Sequence, residues 1–402
     1  MKIPHEKFCV LPWISMETSP TGTVRPCCLA EDEIVDNNGK PLELASAPFS
    51  DIQNSNHMKT LRQDFLDGKR PKTCQKCWDE EDAGRTSKRM HTLERLKHII
   101  SDNIEWNEDA QPLMFLDLKL GNICNLKCRI CGSWSSSAFA TEELQNMPRE
   151  RKKSSFQYMM LKKGAWPREK TEFWSELEDI LGQIRYIEFT GGEPFMISEH
   201  FDLLRKLVDN GISSNVEIHY NTNGTHFPDH AIDIWKNFKH VEVAFSIDDI
   251  GERFEYQRTN AIWSEVQSNI SRFKKLRSDL NNMSLQVCST VNAYNVYYLA
   301  ELAQWIDEQN FDFIYWNILH EPSYLSVSRL PQKAKDAAIQ SLKNCNVTQY
   351  HRQEFDHIID FIINGNTTDG EELRHNIKKL DERRIVNLAD AHPEWANILD
   401  YG

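Results

Sequence analysis

The residues best suited to chemistry are cysteines, and the tightest group is CNLKCRIC. Cys124, Cys128 and Cys131 stand at C-x3-C-x2-C. Thiolate is the soft ligand that iron–sulfur clusters select, and three thiolates can hold a cubane while leaving one iron open for binding and chemistry. A structural zinc site would want a fourth nearby ligand, and none follows within the next turn. The bland alternative is a set of buried thiols that fall in this order without a ligand role.

A second group occupies the first eighty residues. Cys9 is followed after twelve residues by Gly22 and after four more by Cys27, and Cys74 and Cys77 form a C-x2-C pair. TSPTG between two short strand-like runs predicts a hairpin that brings Cys9 toward Cys27. The C-x2-C pair offers two thiolates on one tight turn, a half-site common to iron–sulfur clusters and zinc. Residue types alone leave zinc and iron–sulfur equally open. Cys28 reads as a neighbouring thiol, Cys288 as a core thiol inside a strand, and Cys345 as isolated.

The elements that must position these groups are legible from periodicity. Leu116, Leu118 and Leu120 alternate with Asp117 and Lys119, which predicts a strand running into the cysteine loop at Gly121. Beyond it RYIEFT, NVEIHY, HVEVAFS, LQVCSTV and FIYWNIL read as further strands. EFWSELEDILGQ, EHFDLLRKLVDNG and IWSEVQSNISRFKKLR read as helices between them. Roughly six such units predict an α/β fold with a parallel sheet, whose ligand groups belong at the carboxyl ends of the strands. Those ends are polar or glycine-rich: Gly191-Gly192-Glu193-Pro194, Asn221-Thr222-Asn223-Gly224, Ser246-Ile247-Asp248-Asp249, and Val291-Asn292. Among the N-terminal cysteines, DIQNSNHMKTLRQDFLDG predicts one amphipathic helix, and DEEDAGRTSKRMHTLERLKHII a loop and then a helix.

CNLKCRIC after a strand resembles the cluster loop of the radical S-adenosylmethionine (radical SAM) superfamily, although Ile130 stands where an aromatic residue is usual. The resemblance implies a partial (β/α)6 barrel and a [4Fe–4S] cluster on Cys124, Cys128 and Cys131, with SAM chelated to the fourth iron. It further implies contacts to SAM from Gly191, Gly192, Glu193 and Pro194 at the amino group. Asn221 and Asn223 stand at the third strand end, Ser246 and Asp248 at the ribose, Arg258 at the carboxylate, and Val291 and Asn292 near the adenine. The Cys9, Gly22, Cys27, Cys74, Cys77 spacing is similar to the auxiliary-cluster pattern of the SPASM/twitch group, which implies an auxiliary [4Fe–4S] cluster. In that group the segment usually follows the barrel; here it precedes it.

The implied activity is reductive cleavage of SAM to a 5′-deoxyadenosyl radical that abstracts hydrogen from a substrate, with an external one-electron reductant such as a flavodoxin or ferredoxin. SPASM/twitch relatives mostly modify peptides or proteins, so oxidation or cross-linking of a peptide-like substrate is expected. The alternatives are dehydrogenation of a small polyol or aminoglycoside-like molecule, and a non-catalytic, zinc-stabilised binding protein. No catalytic side chain is required beyond the cofactor ligands.

Composition narrows the classes. The 402 residues carry a net charge of −13, which argues against broad nucleic-acid binding. No apolar run approaches membrane-spanning length, and MKIPHEKFCVLPW lacks the apolar core of a secretion signal. Eight of the ten cysteines, counting Cys28 beside Cys27, fall in the two groups rather than in a scattered disulfide framework, so a reducing cytoplasm is expected. The expected organisation is an auxiliary-cluster segment over 1–100, a linker over 101–112, a barrel over 111–330 and a helical extension over 331–402. One basic segment, 135–171, breaks the strand–helix rhythm. Within its stretch 149–170, Arg149, Arg151, Lys152, Lys153, Lys162, Lys163, Arg168 and Lys170 face only Glu150 and Glu169. It reads as a lid or a dock for an acidic substrate, or as a solvated surface.

Overall fold

The computed structural model describes residues 2–82, 84–100, 104–168 and 170–402. The start of the expected linker, 101–103, and Glu169 of the basic segment lie outside them. Among the described residues there are ten strands: β1 (Ser15–Thr18), β2 (Val24–Arg25), β3 (Phe115–Leu118), β4 (Lys127–Cys128), β5 (Tyr186–Phe189), β6 (Glu217–Thr222), β7 (His240–Ser246), β8 (Arg258–Thr259), β9 (Met283–Val291) and β10 (Phe313–Ile318). Eight of them form one mostly parallel sheet in the order β10-β9-β7-β6-β5-β3-β1-β2, and β4 pairs with β8. The six strands expected from periodicity are β3, β5, β6, β7, β9 and β10. The hairpin β1–β2 extends that set, β1 pairing parallel to β3 and antiparallel to β2.

The chain divides into two compact units, Met1–Cys124 with Ser133–Tyr220 and Pro228–Glu242, and Asn125–Gly132 with Asn221–Phe227 and Val243–Gly402. In the first, the sheet register separates two faces. Met16, Leu116, Ile187 and Ile218 are cross-strand partners, as are Leu118, Phe189 and Tyr220 on the same face. The helix Ser198–Asp209 covers that face, with His200 against both Phe189 and Tyr220. On the opposite face Glu17 partners Asp117, Asp117 partners Glu188, and Glu188 partners His219. This ionisable row is covered by the helix Lys88–Leu96, whose Lys88 and Arg95 lie over the rings of Phe115 and Tyr186.

In the second unit β9 and β10 pair in parallel, and the helix Trp263–Asp279 buries Val266, Ile270, Phe273 and Leu276. After residue 330 the chain is helical. Trp395 on its last helix donates to the Ala293 carbonyl (2.6 Å) and stacks on Tyr297.

Two local expectations change. The helix expected over 51–68 is broken into Phe49–Gln53 and Asn56–Leu66, because Ser55 adopts an extended conformation and its hydroxyl accepts from Met58 N–H as an N-cap. The stretch after Cys77 continues as the helix Gln75–Asp82 before the loop begins.

Candidate functional site

The cysteine loop leaves β3 through Gly121 and Asn122. Asn122 is buried, and its side-chain amide donates to the Ser133 carbonyl (2.9 Å). The Ser137 hydroxyl accepts from Cys124 N–H (3.1 Å), and Ala138 N–H donates to the Cys124 carbonyl (3.2 Å), so the helix that follows holds the first cysteine by its backbone. Gly191 and Gly192, at the end of β5, both lie at positive φ (69° and 62°). Glu193 N–H donates to the Ile123 carbonyl (2.7 Å), and a β-carbon on Gly192 would fall 2.5 Å from that oxygen. Only glycine allows this approach. Buried Glu193 accepts from Phe195 N–H (3.2 Å), which caps the turn begun by Pro194. The glycine motif and the residue preceding Cys124 are thus one packed assembly.

The loop crosses from the first unit to the second between Cys124 and Asn125. In the second unit Cys128 sits on β4 opposite Arg258 on β8. Arg258 makes two bonds to Asp248 Oδ2 (3.0 and 2.7 Å) and points a third donor at Cys128 Sγ (3.8 Å). Asp248 Oδ1 accepts from Thr290 N–H (2.8 Å). The expected ribose and carboxylate contacts are therefore joined to each other and to a cysteine sulfur. Asn223 donates to Asn125 Oδ1 (3.1 Å), which brings the third strand end to the cysteine loop, while Asn221 is half-buried on β6. Ser246 ends β7 and is half-buried; Val291 is fully buried. Buried Asn292 is engaged in its own turn, with Tyr294 N–H on its oxygen and its amide on the Thr290 carbonyl (both 2.8 Å).

The N-terminal cysteines surround a pocket in the first unit. Cys9, Cys27, Cys74 and Cys77 line it with Leu11, Leu29 and Lys88, and it encloses ≈ 320 Å³ counting space open to solvent. Burial raises the Cys9 pKa well above the ordinary thiol range, and the proximity of Cys74 and Cys27 adds to it. Cys28 does not line the pocket; burial raises its pKa too, and its charged neighbours are Lys88, Asp117 and Glu188. The two halves are joined by Arg89. It is bidentate on Glu81 (2.9 and 2.7 Å), beyond the C-x2-C pair, and donates to the Phe8 carbonyl next to Cys9 (2.8 Å). Among the described residues no group of three or more His, Cys, Asp or Glu could hold a single metal ion, and all ten cysteines are thiols.

A family model described as the radical SAM superfamily matches residues 118–287, and one described as an iron–sulfur cluster-binding domain, SPASM, matches residues 9–78. The chain carries a radical SAM domain preceded by a SPASM domain. The SPASM match starts on Cys9 and ends one residue after Cys77; the radical SAM match takes in the cysteine loop, GGEP, Asp248 and Arg258. These domains imply a SAM-binding [4Fe–4S] site and an auxiliary [4Fe–4S] cluster. The four thiols around a pocket and the glycine cradle against the cysteine loop fit both groups.

Among solved structures, native anSMEcpe with bound AdoMet and Cp18Cys peptide is 19% identical over 58% of this chain and 59% of that one, with a TM-score of 0.38. Streptococcus suis SuiB bound to S-adenosylmethionine is 12% identical over 84% and 68%, with a TM-score of 0.35. The chain spans about three fifths of the length of the first. No curated protein matches it.

Within the radical SAM domain the structure adds one residue that sequence reasoning passed over. Arg129, between two cysteines of the loop, is buried and donates to Asp381 (2.6 Å) and the Tyr256 carbonyl (2.9 Å). Its guanidinium lies 3.7 Å from the Tyr256 ring centroid. Asp381 also accepts from Tyr256 OH, Leu388 N–H and Tyr401 OH (each 2.8 Å). A C-terminal helix without a readable motif therefore anchors the cysteine loop.

The ionisable row was equally hidden. Glu188 accepts from Lys88 (3.2 Å), and Glu242 of β7 bonds both His219 and Arg95. Burial, reinforced by Glu188 and Glu17 against Lys119, pushes Asp117 up to about 6. The members come one from each of β1, β3, β5, β6 and β7, and only the pairing of those strands collects them.

Proposed function

We propose that this chain is a radical SAM enzyme that oxidises or cross-links a peptide or protein. The observation that carries the reading is the bond from Glu193 N–H to the Ile123 carbonyl, which seats GGEP against the start of C-x3-C-x2-C. When bound, the cluster and SAM supply a 5′-deoxyadenosyl radical that abstracts hydrogen from the substrate.

This chain's residues hold and orient. Cys124, Cys128 and Cys131 ligate the first cluster. Gly191, Gly192, Glu193 and Pro194 present backbone groups to the SAM amino group. Asn221, Asn223, Ser246, Asp248, Arg258, Val291 and Asn292 shape the rest of its site, Arg258 also placing positive charge at Cys128. Cys9, Cys27, Cys74 and Cys77 ligate the auxiliary cluster, with Cys27 rather than Cys28 because it is Cys27 that lines the pocket. Residues 1–100 form the auxiliary segment, 111–330 the barrel and 331–402 the extension that anchors the cysteine loop. An external one-electron donor such as a flavodoxin or ferredoxin completes the system. The peptide assignment rests on the SPASM domain, whose group mostly acts on peptides and proteins.

Incubation of anaerobically reconstituted protein with SAM and dithionite tests the reading. It predicts 5′-deoxyadenosine from the wild type and none from Cys128→Ala; iron-loaded wild type that releases none contradicts it. Candidate peptides and polyols added in parallel separate the substrate classes by which one gains a product of altered mass.

A further inference from the structure

Lys88 stands where the four-cysteine pocket meets the buried ionisable row. It lines the pocket beside Arg89, but the two cations differ in how they are matched. Arg89 is committed to both oxygens of Glu81 and to the carbonyls of Glu6 and Phe8. Lys88 has one carboxylate partner, Glu188 at 3.2 Å, and Glu188 does not line the pocket. Its side chain is one-quarter exposed, and the rest of the pocket wall is largely apolar, formed by Leu11, Leu29, Ala30 and Phe65.

We propose that Lys88 sets the reduction potential of the auxiliary [4Fe–4S] cluster, acting as a fixed positive charge on the pocket wall whose position is held by Glu188. The inference rests on reading this pocket as a cluster site. A [4Fe–4S] core with four thiolates already carries net negative charge, and one-electron reduction adds one more. A nearby cation lowers the energy of that added charge more than it lowers the energy of the oxidised state. In an apolar wall the effect is weakly screened. Lys88 thereby raises the potential and favours the cluster as an acceptor of the electron released by a substrate radical. Lys88 touches neither substrate nor reacting atoms, so it is a positioning residue for charge.

The test is a reductive titration followed by electron paramagnetic resonance. It uses the full chain reconstituted in a Cys124→Ala/Cys128→Ala/Cys131→Ala background, so that the auxiliary cluster alone gives the signal. Lys88→Met is expected to shift the midpoint to more negative potential, and Lys88→Arg to restore it. Glu188→Gln, which removes the counter-anion and leaves the cation, is expected to shift it the opposite way. Iron bound with the same midpoint in Lys88→Met and the parent overturns the inference alone. A parent background that binds no iron overturns the cluster reading and the inference with it.

Discussion

A buried guanidinium between two cysteines needs a counter-charge, and for Arg129 it comes from Asp381, 252 residues along the chain. Breaking such a pair from one side leaves an uncompensated charge in the interior. Asp381→Leu is therefore expected to cost about 3–5 kcal/mol in urea denaturation. Arg129→Met in the same chain should recover part of that loss, and a double variant no more stable than Asp381→Leu would contradict the ion-pair account. Nothing in CNLKCRIC marks Arg129 as more than a residue between ligands, and nothing in LRHNIKKLDERR marks Asp381. The pairing is a product of folding, and a lone sequence holds no trace of it.

Glu242 gives a prediction in pH. Burial raises its pKa, but the bond to His219 and the charges of His219 and Arg95 outweigh that, and it falls from an ordinary 4.5 to about 2. A carboxylate held below its unfolded value contributes stability that is complete above pH 4.5 and is lost as pH falls toward 2. The contribution is on the order of 2–3 kcal/mol. Thermal melts of wild type and Glu242→Gln should converge across this window, and a stability difference that stays constant from pH 6 to pH 3 would refute the assignment.

Among the elements, the glycine turn after β5 carries the most demanding geometry. A Gly192→Ala side chain would meet the Ile123 carbonyl at 2.5 Å from a left-handed backbone. It should abolish SAM binding by equilibrium dialysis while leaving the N-terminal cluster's iron in place. Retained SAM affinity would show that GGEP is only a turn. The strands that bear this site were legible because hydrophobic alternation survives in each of them. The hairpin strand β1 was not assigned to the sheet because its sequence, SMET, holds one apolar residue, Met16, and so carries no hydrophobic alternation. The helix over 51–68 was read too long because the apolar spacing of Ile52 and Met58 continues across a break that only the Ser55 cap reveals. Arg89 joins two elements far apart in sequence, the Gln75–Asp82 helix and the chain entering Cys9. Arg89→Met is expected to lower auxiliary iron after reconstitution and to leave the Cys124–Cys131 site loaded; unchanged iron would make Arg89 a packing residue only.

At the scale of the whole molecule, the cysteine spacings marked out the two groups that the SPASM and radical SAM matches span, and the strand ends marked where SAM contacts are expected. What spacing could not supply was how the N-terminal group joins the fold. β1 pairs with β3, the strand that runs into the cysteine loop, and Lys88 ties the four-cysteine pocket to that sheet's ionisable row. A SPASM domain placed before the barrel is thus built into the sheet of its own compact unit. The central claim is that the chain holds two clusters, one in each cysteine group. It is tested most directly by iron and sulfide content per chain after anaerobic reconstitution, on wild type and Cys74→Ala/Cys77→Ala. Two cubane clusters predict about eight irons falling to about four in the variant. About four in both would remove the auxiliary cluster, and no iron in the wild type would contradict the whole account.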